Sequence, residues 1–162
     1  MRNIFIGFLV LFACGVASAD DKKVDASKKL VRDFVEVVKN GRKLDKLGDY
    51  FAADYVEHNP VVASFGKGVA GYKAFLGHLF SGFPDDKVQI DQLVSDGEWV
   101  AYRATESGTH KGVFLKIPAT NKRATWTETQ FFRIRDGKVV EHWVDVDIFS
   151  WFQQLGIIPP MG

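Results

Sequence analysis

The sequence predicts an α+β domain, with helices first and an antiparallel meander after them. Three observations point that way. Leu30, Val31, Phe34, Val35 and Val38 recur at helical spacing with charged residues between them. From Lys87 onward the apolar residues alternate with a period of two. Asp96-Gly97 and Asp136-Gly137 interrupt that alternation as hairpin turns do. The helices are expected to cover one face of a curved sheet.

The 162 residues suffice for one domain with a real core. The opening stretch, MRNIFIGFLVLFACGVASA, stands apart from it. Arg2 precedes an apolar run from Ile4 to Val16, and Ala17-Ser18-Ala19 supplies a small-x-small cleavage site. The run is short for a bilayer, so residues 1–19 are expected to be a secretory signal and residues 20–162 the domain. That implies a secreted or periplasmic protein with no membrane attachment after cleavage. A lipoprotein anchored at Cys14 is the second choice, with Phe12 bulky for a lipid-attachment box.

Cleavage after Ala19 removes Arg2 and Cys14 and leaves 20 basic against 20 acidic residues. A chain without thiols has no disulfide, no thiolate metal site and no cysteine nucleophile. Balanced charge without a basic stripe excludes nucleic acid as an expected partner. The 14 Phe of the chain suit a large core or an apolar pocket. Residues 20–27 read as a solvated leader.

The first helix is expected to end at Asn40-Gly41, with glycine in its usual place past a helix end. A shorter helix follows from Leu44 to about Phe51. A third runs from Gly68 to Phe80, carrying Val69, Tyr72, Phe75, Leu76 and Leu79 on one side, with Pro84 beyond its end. Strands are expected at Lys87–Ser95, Trp99–Thr109, Arg123–Ile134 and Lys138–Val146, with a loop over residues 111–122 and a last helix at Ile148–Leu155.

Turn chemistry decides which side chains face inward, because a one-residue slip inverts a strand. A two-residue loop at Asp136-Gly137 places Gln130 opposite Trp143. A three-residue loop, Arg135-Asp136-Gly137, places it opposite His142. The apolar pattern favours the second, with Val140, His142, Val144 and Val146 sharing a face with Trp126, Glu128, Gln130, Phe132 and Ile134. The same reasoning groups Val88, Ile90 and Val94 with Val100, Tyr102, Ala104, Glu106 and His110. Thr125, Thr127, Thr129, Arg133, Glu141 and Asp145 then face outward.

An apolar wall that carries Glu106, Glu128, Gln130 and two histidines has the composition of a pocket, since buried ionisable groups are costly unless paired or used. His110 and Asp147 end parallel-running strands at one rim, two strand spacings or about 10 Å apart. Glu128, if inward without a basic partner, has a raised pKa and serves as acid or base. Asp147 precedes a helix and is expected to cap it, with the adjacent amides favouring its carboxylate. His142 is inward, either structural or proton-transferring. No metal-ligand spacing links His58, His110, His142 and the acids, so no metal is expected.

YVEHNP (55–60), FPDDKVQIDQLVSDGEWVAYRATESGTHKGVFLKIPATNK (83–122), FFRIRDGKVVEHW (131–143) and DIFSWFQQLGIIPP (147–160) together resemble the SnoaL-like polyketide cyclases, also called ester cyclases, of the nuclear transport factor two-like superfamily. The resemblance implies a cone-shaped α+β barrel, with helices closing one end of a bent sheet around a ligand cavity. It implies cofactor-free aldol closure by a His on the third strand of this sheet and an Asp on or after the fourth. Here the His position falls on Gln130, and the Asp position on Asp147 in one register or Val144 in another. It also implies a homodimer, through an outer face that bears Phe131 and Trp143.

The expected ligand is thus a small, mostly apolar carbonyl compound. Asp147, His142 and Glu128 are the proton-moving candidates. Tyr102, His110, Trp126 and Gln130 would position the ligand, with His58 and Asn59 by the cavity wall. A non-catalytic binding or dimerisation module of the same fold is the alternative.

Overall fold

The computed structural model describes residues 18–159. The expected signal and Cys14 lie outside them, except Ser18 and Ala19. Helix α1, Ala19–Phe34, begins at the Ser18 cap, whose hydroxyl accepts from the Asp21 amide while the Asp21 carboxylate accepts from Ser18 N–H. Residues 20–27 are therefore the first turns of this helix rather than a separate leader, mostly exposed until the buried Ser27. Val31, Phe34, Val35 and Val38 are fully buried.

A π-helical turn, Val35–Asn40, ends the helix. Its wider winding brings Lys39 back over the buried stripe begun by Val31 and Val35, so this lysine faces the interior. Gly41 closes the helix at φ −84° and not in the left-handed region, which Arg42 takes instead. Glycine is required there by proximity, since a Cβ would sit 2.5 Å from the Val37 carbonyl oxygen.

After a 3-10 turn, Leu44–Lys46, comes α2, Leu47–Tyr50, and then a strand that the reading of the sequence did not separate out: β1, Phe51–Glu57. Short α3, Pro60–Ala63, and α4, Gly68–Gly82, lead into β2, Lys87–Ser95, β3, Trp99–Thr109, β4, Arg123–Arg135, and β5, Lys138–Val146; α5, Ile148–Leu155, is last. The sheet order is β1-β5-β4-β3-β2. The meander is antiparallel as expected, and β1 adds a parallel edge beside β5. Among the described residues no helix is long and apolar enough to cross a membrane.

Two bulges bend the sheet and correct the expected registers. Asp136-Gly137 is a two-residue loop with both residues at positive φ, and Arg135 pairs with Lys138. Between Arg133 and Ile134 the register then shifts, and Val140 is the extra residue on β5. Gln130 consequently faces Val144, and His142 faces Phe132. His142, Val144 and Val146 share the inner face as expected, but beyond the bulge Val139, paired with Ile134 and fully buried, joins the core in place of Val140. A second shift, at Asp91, places Leu93 beside Tyr102 and turns Val94 out to 63% exposure. Val94 therefore belongs to the outer face, not the inner one assigned from alternation.

Candidate active site

A cavity of about 330 Å³ lies between α4 and the inner face of β3, β4 and β5, a size usual for a small-molecule site. One side is apolar: Tyr72, Phe75 and Leu79 from α4, and Phe114 and Leu115 from the loop after β3. At one end Trp126 and Trp151 stack with centroids 4.0 Å apart. The sheet supplies the polar wall, formed by Glu106, Glu128, Gln130 and His142.

His142 is gripped through both ring nitrogens. Its Nδ1 lies 2.8 Å from Glu57 Oε2 and its Nε2 2.9 Å from Gln130 Oε1. The two contacts fix the orientation of the ring. Burial alone would raise the Glu57 carboxyl, but the hydrogen bond and charge of His142, with the Tyr55 hydroxyl and the Asn59 amide, hold it below the usual carboxylate range.

Further along the wall, Glu128 Oε1 accepts from Lys39 Nζ at 2.9 Å and from the Tyr102 hydroxyl at 3.0 Å. Burial opposes its charge, yet Lys39 wins and the carboxyl sits below its ordinary value. The expectation of a raised Glu128 pKa presupposed no basic partner; Lys39 is that partner. Lys39 reaches Glu106 Oε2 less closely, at 3.4 Å. Desolvation and the neighbouring Glu128 push Glu106 well above the usual range. Asp86, just before β2, also lies above its usual range, chiefly through burial, and the Arg42 guanidinium stands 3.9 Å away. Among the described residues no group of three or more His, Cys, Asp or Glu is placed to hold a metal.

Of the nine residues expected at the site, Asn59, Trp126, Glu128, Gln130 and His142 line the cavity. Asn59 also caps α3 through Oδ1 and donates to the Val144 carbonyl at 2.9 Å, tying that short helix to β5. Tyr102 stands behind the wall and holds Glu128. The other three lie away from the lining. His58 is on the outer side, stacked on Trp143 at 4.1 Å and paired with Glu141 at 3.0 Å. His110 is buried against Phe83, with Nδ1 facing Thr120, and burial lowers its pKa. Asp147 is an exposed cap, accepting from the Ser150 amide at 3.0 Å. The expected convergence of His110 and Asp147 on the cavity mouth is therefore not built.

Lys39, Glu57 and Asp86, which stand behind the polar wall and set the charge of its members, were missed. Two signals were available. Lys39 follows Val31 and Val35 at eight and four residues, on the apolar stripe. Glu57 alternates with Phe51 and Tyr55, so a strand there points it inward.

The sequence profile of the SnoaL-like polyketide cyclases matches residues 29–155. Aklanonic acid methyl ester cyclase DnrD of Streptomyces peucetius is 28% identical over 133 residues, 78% of this chain and 88% of that one. Nogalonic acid methyl ester cyclase of Streptomyces nogalater is 25% identical over 120 residues, 72% and 88% of the two chains. The structure of TsrD from Streptomyces laurentii superposes with a TM-score of 0.75 at 28% identity, covering 83% of this chain and 97% of that one. With the profile matched over most of its length and the fold shared, this chain belongs to the SnoaL-like polyketide cyclase family.

Proposed function

We propose that the protein binds a small, mostly apolar carbonyl compound in this cavity and, without a cofactor, removes a proton next to the carbonyl. The observation that carries the reading is an ionised carboxylate, Glu128, set in the wall of a largely aromatic cavity. Lys39 and Tyr102 occupy its Oε1, so Oε2 is the oxygen left for Gln130, Glu106 and the ligand. Glu128 acts as the base. His142, anchored by Glu57, is a positioning residue: it takes the Gln130 carbonyl and leaves the amide N–H groups for Glu128 and the ligand.

The aldol pair implied by the family resemblance falls on Gln130 and on Asp147 or Val144; Gln130 and its cross-strand partner Val144 carry no proton-transfer group, and Asp147 is an exposed helix cap outside the cavity lining. Proton removal next to a carbonyl is nonetheless the step that aldol closure, isomerisation and dehydration have in common. The test measures that step directly. Aryl ketones of graded size are incubated with the protein in deuterium oxide, and α-deuteration is followed by NMR. Catalysed exchange that disappears in Glu128→Gln is expected. Ligand bound without any exchange supports the second reading, a binding module, which the Gln130–Val144 pair favours.

Export and dimerisation belong to the same proposal. A soluble chain beginning at Asp20 in the periplasm or medium supports export, and a lipid-modified Cys14 supports the anchored form instead. On the outer sheet face Trp99 and Trp143 pack 5.6 Å apart, and Phe131, the cross-strand partner of Trp143, is 45% exposed. A second copy of the chain would cover this patch. Light scattering should give twice the chain mass, and Phe131→Lys should reduce it to one chain.

A further inference from the structure

Four carboxyls are buried along the polar wall and behind it, and they meet three basic side chains. Glu57 has His142 at 2.8 Å, Glu128 has Lys39 at 2.9 Å, and Asp86 has Arg42 at 3.9 Å. Glu106 is the remainder, with only the longer 3.4 Å approach of a lysine already committed to Glu128. Its Oε1 and both oxygens of Asp86 are buried without a hydrogen-bond partner among the described residues. A carboxyl proton on Glu106 removes the unmatched charge and turns its partnerless oxygen into an O–H donor.

Glu106 also faces a particular part of the cavity. Its cross-strand partner is Trp126, and Trp126 stacks on Trp151. Trp151 lines the same cavity, and its indole N–H is buried and likewise lacks a partner. This end of the site therefore holds a carboxyl without a cation of its own and an unused N–H beside the stacked indoles. Its missing element is an acceptor oxygen.

We propose that Glu106 is the acid of the site, a neutral carboxyl that binds the ligand's carbonyl oxygen beside the Trp126–Trp151 stack, with the Trp151 indole N–H as second donor. This rests on the carbonyl-ligand reading and adds the end of the cavity that holds the oxygen. The step is balanced within the wall. Glu128 takes the proton from the carbon next to the carbonyl, and that C–H bond pair becomes the C=C bond of the enol. The carbonyl π pair moves onto oxygen, which takes the Glu106 proton. Glu128 ends neutral and Glu106 ends ionised, so one negative charge crosses between two carboxyls that share Lys39. The total charge of the wall is unchanged, and no solvent need enter to compensate it.

Two measurements test this. The first needs no ligand: infrared difference spectra at neutral pH should show a protonated-carboxyl C=O band that is lost in Glu106→Gln and kept in Glu128→Gln. A band that is absent, or that survives Glu106→Gln and vanishes in Asp86→Asn, overturns the proposal while leaving the carbonyl-ligand reading standing. The second is α-deuteration of a bound aryl ketone. Glu106→Gln keeps a donor for the oxygen but no transferable proton, so exchange at saturation should fall about 100-fold or more with little change in KM. Glu106→Asp, which restores an acid, should recover part of that loss. Wild-type exchange in Glu106→Gln overturns the assignment, as does tighter binding of a shape-matched organic ammonium than of the ketone, which would make Glu106 a carboxylate for cations. Failure of every ketone to bind, with the infrared band as expected, would defeat the carbonyl assignment in both readings and leave the neutral Glu106 intact.

Discussion

Lys39 Nζ lies 2.9 Å from Glu128 Oε1, and both side chains are almost closed to solvent although 89 residues separate them. This contact ties the end of the first helix to the middle of β4 and keeps an ionised carboxylate inside an aromatic cavity. Taking two charges out of water is expensive, so the pair is weak evidence for stability in itself. Its consequence is for chemistry: the wall retains a base that burial would otherwise neutralise.

Removing one partner should show this. Lys39→Met leaves Glu128 buried without its cation, and a loss of about 3–5 kcal/mol is expected from urea unfolding. Lys39→Met combined with Glu128→Gln should recover much of it. Equal destabilisation of the single and double variants would mean that Lys39 contributes through packing alone.

Glu57 predicts behaviour in acid. Its folded pKa lies below the ordinary value, so its stabilisation is complete above the unfolded pKa, about 4.3, and is lost as pH falls through the folded one. Wild type should therefore lose stability more steeply than Glu57→Gln below about pH 4. Parallel curves for the two proteins would remove the His142–Glu57 contact from the account.

Glu106 predicts the opposite slope. Its folded pKa is raised, so its contribution is fully present below about pH 4.3 and is lost as pH rises toward the folded value. Glu106→Gln, which cannot ionise, should gain stability relative to wild type as pH climbs from about 4 to 8. Unfolding midpoints across that range give the sign directly.

Asp147 separates a helix cap from a catalytic residue. Asp147→Ala removes the acceptor for the Ser150 amide, and a loss of about 1 kcal/mol is expected in thermal unfolding. Ketone binding and α-deuteration should be unchanged, because this exposed carboxylate is not part of the cavity lining. A large loss of exchange with little loss of stability would return Asp147 to the mechanism.

The sequence by itself determined what depends on short-range pattern. Period-two alternation and Asp136-Gly137 identified the four meander strands, and the parity of their residues put Glu106, Glu128, Gln130 and His142 on the inner face. Helical spacing located α4 and α5, and the position of Asp147 before Ile148 marked a cap. These are local properties, set by backbone geometry within a turn or a strand. The tertiary structure decided everything that rests on partners distant in the chain. A bulged residue, Asp91 or Val140, inverts the inward–outward parity beyond it, so Val94 was assigned to the wrong face and the Gln130–Val144 pairing went unseen. A lysine among valines gives no sign of the carboxylates it will meet, and whether a buried Glu is acid or base depends on that meeting. Lys39 holds Glu128 below the usual carboxylate range, while burial and the neighbouring Glu128 push Glu106 above it, because a charge in a low-dielectric interior is stable only beside its opposite.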